Sequence, residues 1–323
     1  MSTQPVVLPL LEHFLSLPTA PFHEDAVMAA IRGRLGACPH VTLETDTYGN
    51  LLATYRRGTP EKPVWAFAAH TDHPGWVNHQ GEWKFLGGVP RSYLDLQPPR
   101  REYGAFAMWE LPSFQLSEEG LVYSRACDDL VGCAAIVATL EGLEKAGAEC
   151  CCMGLFTRAE EVGLLGAVAL AQSGRLPEAM TILSLETSAE RPPAKMGEGV
   201  IVRVGDKTSV FAPDITAELV AAARELEIPY QRALMQGGTC EATAYALYGY
   251  RCGALCVALG NYHNCGPENR IAPEYVSLKD VEGLVALCTA VAQRRSAGAP
   301  GRALKERLEK LLAEYQPYHR PLA

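Results

Sequence analysis

Four apolar runs in the sequence finish on acids or a histidine. VWAFAAHTD ends in His70-Thr71-Asp72, CMGLFTRAEE in Glu160-Glu161, TILSLETS carries Glu186, and ALCVALGNYH ends in His263. A fifth cluster, Cys127-Asp128-Asp129, opens an Ala- and Val-rich helical stretch. In open α/β sheets, ligands bind at the carboxyl ends of strands. His70, Asp72, Asp128, Asp129, Glu160, Glu161, Glu186 and His263 could therefore converge on one rim. Two imidazoles with three or more carboxylates make the donor set for a pair of divalent metal ions, one carboxylate bridging both. Zinc or cobalt suits that set best, manganese shares the same ligands, and an all-carboxylate set would favour magnesium instead. Cys127 and Cys265 neighbour the clusters without the spacing of ligands. The adjacent Glu160 and Glu161 divide naturally, one ligating and the other free as a base. Taken singly each cluster has an ordinary reading: Asp128-Asp129 before a helix also serves as N-cap and first-turn acid. The order and spacing of all five argue for a site.

The elements that must position these residues are legible in the pattern. Leu8 to Gly36 carries apolar residues at helical spacing (Leu11, Phe14, Leu15, then Val27, Ile31, Leu35), broken by Pro18 and Pro21, and predicts two helices about a Pro-rich elbow. VTLETD, the Tyr48-Gly49-Asn50 turn and LLATYRR predict a hairpin. Val64–His70, Met180–Leu185 and Ala254–Leu259 are short continuous apolar runs suited to buried strands, as is the start of CCCMGLFTRAEE. Helices are predicted over Leu130–Leu143, Leu164–Ser173, Ile215–Leu226, Val281–Gln293 and Leu304–Tyr315. Strands alternating with helices imply an α/β sandwich. From Pro74 to about Ser124 the composition shifts to Pro, Gly and aromatics with no helical stripe, which predicts a small β-rich insertion. The expected division is a main domain of residues 1–73 and 125–323 and an inserted subdomain of 74–124. Trp76, Trp83, Tyr93, Tyr103 and Trp109 in the insertion are expected to serve its own core.

With 323 residues, 48% of them hydrophobic and 20% charged, the chain can bury a large core. The net charge of −8 and the lack of a basic run exclude a phosphate-tracking surface, so nucleic acid is not an expected partner. No apolar stretch approaches the ~20 residues of a bilayer span, and the start of the chain lacks a basic then apolar leader pattern. A cytoplasmic protein with no membrane partner is expected. Eleven scattered cysteines with no CxxC pair read as reduced, buried small hydrophobes.

Taken in order, the motifs resemble a known family, the dinuclear metallo-aminopeptidases and their deacylase relatives in the zinc peptidase-like clan. The likeness is strongest to the tetrahedral or glutamyl aminopeptidase group. It rests on SLPTAPFHEDAV, DTYGNLLAT, His70-Thr71-Asp72, Asp128-Asp129-Leu130-Val131-Gly132, the run Glu160 to Ala167 (EEVGLLGA), IPYQ, and Gly237-Gly238-Thr239. The resemblance implies a three-layer α/β/α sandwich with a mixed central sheet. It implies Asp128 as the carboxylate bridging two metal ions, His70 and Glu186 as further ligands of one, and Glu161 and His263 as those of the other. By the same carry-over, Glu160 would be the general base and Asp72 would hydrogen-bond the far nitrogen of His70. Asp129 would stand behind Asp128, where this family commonly has a non-proline cis peptide. The activity implied is metal-assisted hydrolysis, removing N-terminal residues from short peptides with Glu160 moving the proton. Thr239 and Glu241 are candidate substrate contacts, Glu241 for the free α-amine.

Some positions depart from that pattern. Glu186 stands where the aminopeptidase group usually has Asp, as in the deacylase relatives, so an amidohydrolase acting on N-acyl amino acids is the alternative function. A non-catalytic binding scaffold is a second alternative, although no ligand or base is missing. Asp72 and Asp128 are 56 positions apart, about half the length of the accessory domain of the tetrahedral enzymes. A homo-oligomer is open, but a large shell is not implied. Cys240-Glu241 follows Thr239 where an Asp is usual, so side-chain preference does not carry over.

Overall fold

The computed structural model describes residues 7–58, 62–294 and 301–316. Four apolar runs form adjacent parallel strands in the order Cys151–Thr157, Trp65–His70, Thr181–Ala189, Arg251–Gly260. Nearly every residue in them is buried, as strands covered by helices on both faces must be. Their side chains alternate between two cores. Phe67, Ala69, Leu183, Leu185, Leu255 and Val257 enter one, and Ala66, Ala68, Leu155, Ile182 and Ala254 the other.

Helices Leu8–Leu15, Asp25–Leu35, Leu130–Ala146, Pro213–Glu225 and Leu278–Ala292 cover the first face. Leu165–Gln172 and Glu241–Leu247 cover the second. The result is the expected three-layer α/β/α sandwich. Its sheet is mixed: the hairpin Val41–Thr45/Leu51–Arg56 adds antiparallel to Cys151–Thr157. Beyond Arg251–Gly260, the antiparallel strands Glu274–Ser277, Leu121–Ser124 and Gln115–Leu116 extend the other side. Val200–Gly205 also pairs with Arg251–Gly260 and carries Tyr230–Leu234 at its outer side.

Residues 75–109 contribute a separate four-stranded antiparallel sheet, Glu82–Leu86, Gly75–His79, Phe106–Trp109 and Arg100–Glu102, plus one helical turn at Arg91–Leu94. Trp76 stands edge-on to Trp109 at 4.2 Å and to Phe85 at 4.9 Å, and Arg100 covers Trp83 at 4.7 Å, as expected of the insertion's own core, whereas Tyr93 donates to the Gly266 carbonyl at 2.9 Å and Tyr103 packs against the main core and accepts from Arg125. All eleven cysteines are free, nine of them buried. Among the described residues, no helix is long and apolar enough to cross a membrane.

Several element ends differ from the sequence pattern by one to four residues, and two of the shifts have a clear cause. The last core helix begins at Leu278 rather than Val281 because Ser277 caps it, its hydroxyl accepting from the Asp280 amide. The strand expected to stop at Leu185 continues to Ala189, so Glu186 sits inside a strand and not after it.

Candidate metal centre

All the clusters meet at the carboxyl ends of the four parallel strands. His70 is the last residue of its strand, and Glu160 and Glu161 open a single 3₁₀ turn after Thr157. Glu186 projects from the sixth position of Thr181–Ala189, and His263 lies in a short turn after Gly260. Asp128 precedes the helix Leu130–Ala146, joined to Asp129 by a cis peptide bond.

Three groups of side chains each offer donor atoms within 4.8 Å of one another: His70, Asp128 and Glu186; Asp128, Glu161 and His263; and His70, Glu160 and Glu161. The first two share Asp128. Its Oδ1 lies 3.4 Å from Nε2 of His70 and its Oδ2 3.6 Å from Nε2 of His263, which is 3.1 Å from Glu161 Oε2. His70 Nε2 is 4.0 Å from Glu160 Oε2. Asp128 Oδ1, Glu161 Oε1 and His263 Nε2 are buried without a well-aligned hydrogen bond. Buried polar atoms left unpaired are rare, and here all three belong to residues of one donor group. This donor set fits divalent zinc, cobalt or manganese.

The electrostatics follow from crowding. Burial disfavours charge on His70, but Glu160, Asp128 and Asp72 more than offset it and hold the imidazole well above its ordinary value. His263 is raised in the same way by Glu161 and Asp128. Asp128 is buried too, yet the two histidines hold its carboxyl well below the usual range. Burial pushes Glu160, Glu186 and Asp129 upward. The cluster therefore has more negative charge than its own imidazoliums neutralise, which is the condition a cation relieves.

The supporting bonds fix the loops. Asp72 Oδ1 and Oδ2 accept the amides of Glu160 and Glu161 at 2.9 and 3.1 Å. Its Oδ1 stands 3.5 Å from Nδ1 of His70, whereas its backbone carbonyl is at 3.2 Å. Asp129 Oδ1 accepts the Gly132 amide at 3.1 Å and caps the helix. Ser184 donates to Glu186 at 2.9 Å. The far nitrogen of His263 meets the Gly88 carbonyl at 3.1 Å, from the small sheet's loop.

Three participants were not singled out by sequence. His73, directly after the His-x-Asp cluster, bonds the Asp128 carbonyl at 2.7 Å and the Asn264 side chain at 3.1 Å. Glu274, fully buried, accepts three amides around the site. Arg203, 3% exposed, lines an open cleft beside His70, Asp128, Glu160 and Glu186. Thr239 and Tyr262 also line the cleft. Glu241 is fully buried and not on its wall; its carboxylate lies alongside the Thr157 hydroxyl, and burial pushes it up to about 8.

Known proteins share this architecture. A Desulfurococcus kamchatkensis aminopeptidase superposes with a TM-score of 0.75, at 21% identity over 93% of this chain and 97% of that one. A Pyrococcus horikoshii TET peptidase, described as assembling into a tetrahedron or a large octahedral shell, gives 0.72, at 21% identity over 88% and 99%. These likenesses show the fold. An Acetivibrio thermocellus protein, provisionally named an aminopeptidase, is 24% identical over 86% of this chain and 96% of its own length. The family model of the M42 glutamyl aminopeptidases matches residues 102–287, a span that includes Asp128, Glu160, Glu161, Glu186 and His263 and begins after His70. More than half of the chain is covered by that match: the protein belongs to the M42 glutamyl aminopeptidase family and is a metallo-aminopeptidase, a hydrolase of peptide bonds.

Proposed function

We propose that the chain removes N-terminal residues from short peptides at a two-metal site. The observation that carries this reading is the pair of donor groups overlapping at Asp128. In it His70, Asp128 and Glu186 would hold one divalent ion, and Asp128, Glu161 and His263 a second, with zinc the first choice and cobalt or manganese alternatives. When bound, such ions acidify a water and polarise an amide carbonyl. Glu160 belongs to neither overlapping group, lines the cleft, and is read as the general base that takes the proton and returns it to the departing amine. Asp72 keeps Glu160 and Glu161 in place through their amides. Asp129 supports Asp128 from the helix cap.

Within this reading the cleft favours an acidic first residue. Arg203 is buried and close enough to Glu186 to feel its charge; among the described residues its Nη1 donates to Ser188 at 3.1 Å and its Nε has no partner. A buried guanidinium with an unused donor next to a peptidase site suits a carboxylate, whose pairing would satisfy it. Thr239 and Tyr262 would contact the same residue.

The division into residues 1–73 and 125–323 with an insertion of 74–124 is kept as part of the proposal, with the separate sheet of 75–109 as the insertion's nucleus and its last strands, Gln115–Leu116 and Leu121–Ser124, joining the main sheet. So are a cytoplasmic location, in keeping with eleven free thiols, and a homo-oligomer, as the Pyrococcus peptidase forms. The deciding assay offers matched short peptides with free and acetylated N-termini to metal-stripped protein reloaded with Zn²⁺, Co²⁺ or Mn²⁺. Cleavage of the free-amine set alone is the expected result. Cleavage of the acetylated set alone would replace this reading with the deacylase one.

A further inference from the structure

We infer that Glu274 is a positioning residue that sets the relation between the two metal-ligand groups; this rests on the two-metal reading above. Glu274 begins the strand Glu274–Ser277, which pairs with Leu121–Ser124 on one side and Arg251–Gly260 on the other. Both neighbouring segments lead directly into ligand loops, Ser124 toward Asp128 and Gly260 toward His263. Its side chain is fully buried and reaches both loops. Oε2 accepts the amides of Cys127 at 2.8 Å and Asp128 at 3.1 Å, and Oε1 accepts the amide of His263 at 2.8 Å.

One carboxylate thus ties the backbone of the shared ligand Asp128 to that of His263, two residues that no shared secondary-structure element otherwise holds together. The need for such a tie is visible at His263. Its backbone is left-handed, φ 54° and ψ 37°, and Asn261 and Asn264 on either side are left-handed as well. A left-handed backbone is unfavourable for a residue with a side chain, and the surrounding structure must over-determine it. The bond from the His263 amide to a buried carboxylate does so, because a charge-assisted bond in a dry site is stronger than a neutral one. The Gly88 carbonyl then fixes the ring of His263 from its far nitrogen.

The two groups depend on Glu274 unequally. The group of His70, Asp128 and Glu186 has one member held by Glu274, whereas that of Asp128, Glu161 and His263 has two. Loss of the carboxylate should weaken the second group more. Glu274→Gln keeps the size, but its amide nitrogen is a donor facing backbone donors, so at least one of the three bonds is lost. Glu274→Asp keeps the charge and loses the reach. As a control, Asp280→Asn removes another buried acid, one that holds the amides of Gly197 and Gly199 at 2.7 and 2.9 Å, away from the site.

The test titrates the full, metal-stripped chain with Zn²⁺ by calorimetry, alongside a melting temperature for each protein. Wild type is expected to take up two equivalents. Glu274→Gln should bind one of the two equivalents, that of Asp128, Glu161 and His263, about 10- to 100-fold less tightly and the other with a smaller loss, the usual cost of removing a supporting partner behind metal ligands. Asp280→Asn should lose melting temperature and keep both affinities. If Glu274→Gln does not fold, Glu274→Asp is read in the same titration with the same expectation. A Glu274 variant that binds both equivalents as tightly as wild type, whatever its melting temperature, overturns the inference. Wild type taking up fewer than two equivalents would overturn the two-metal reading instead, and is seen before any variant is compared.

Discussion

Replacing Glu160 by Gln separates the two roles that adjacent glutamates can play here. The structure keeps the backbone in place whatever the side chain does, because the Glu160 amide is held by Asp72 Oδ1 at 2.9 Å. Glutamine has the shape of glutamate, so the cleft wall is unchanged. Neither overlapping donor group contains Glu160, whose Oε2 stands 4.0 Å from the nearest ring nitrogen of His70. Metal uptake should therefore stay at two equivalents with affinities near those of wild type. Removing a general base costs about 10² to 10⁴ in rate, which is roughly 2.7 to 5.5 kcal/mol at the transition state. The loss should fall on kcat and leave KM nearly untouched, since the amide binds no less of the substrate. Metal content by mass spectrometry and steady-state hydrolysis of free-amine peptides measure both. Turnover within tenfold of wild type with both ions present would remove Glu160 from the base role. Loss of one ion would show that the third group, His70 with Glu160 and Glu161, is the one that binds.

Other perturbations test neighbouring parts of the argument. Arg203→Met should lower kcat/KM for peptides with an acidic first residue by roughly ten- to a hundredfold, a charge-assisted bond being worth about 1.5–3 kcal/mol, and leave neutral first residues unaffected; equal losses for both sets would refute the acidic pocket. Chelation should lower the melting temperature by several degrees, since ions at a thousand times their dissociation constant contribute about 4 kcal/mol each, and re-addition of Zn²⁺ should restore it; an unchanged melt on stripping would argue against bound ions. Glu241 is protonated in the fold up to about pH 8, against 4.5 ordinarily, so its stabilisation is complete below 4.5 and lost as the pH rises through 8. In metal-free protein, Glu241→Gln should match wild type in acid and exceed it by a few kcal/mol above pH 8; parallel denaturation curves from pH 5 to 9 would contradict the burial argument.

The strands and their order of use were legible because burial on both faces leaves a strong mark. WAFAAH or ALCVAL can hardly be anything but a covered strand; the first ends on His70 itself, and His263 comes four positions after the second. The mark fades where side chains stop reporting on the backbone. Nothing in TILSLETSA says that the strand runs past Glu186, because pairing with Arg251–Gly260 and not hydrophobicity extends it to Ala189. The small sheet was visible through its Trp and Gly content, but its strand order depends on Trp76 meeting Trp109 across 33 positions.

Ligand candidates share a signature, an acid or histidine at the border of an apolar run, that their supports lack. Glu274 stands in RIAPEYVS, a stretch that reads as an ordinary polar connection, and its bonds reach 147, 146 and 11 positions away. Arg203 stands in the apolar strand VIVRVG, where nothing in the pattern assigns a lone arginine a task, and only the cleft above it reveals a buried guanidinium with an unused Nε. His73 came nearest to being readable, two positions after the ligand cluster's Thr71. What it binds is a carbonyl and an amide supplied by the two loops that Glu274 also ties. Donor atoms can thus be inferred from residue type, whereas their spacing is held by buried groups whose type is incidental and whose partners are set only by the fold. Substitutions among those supports should therefore shift metal affinity without touching a ligand, and this is where relatives with the same five clusters have room to differ.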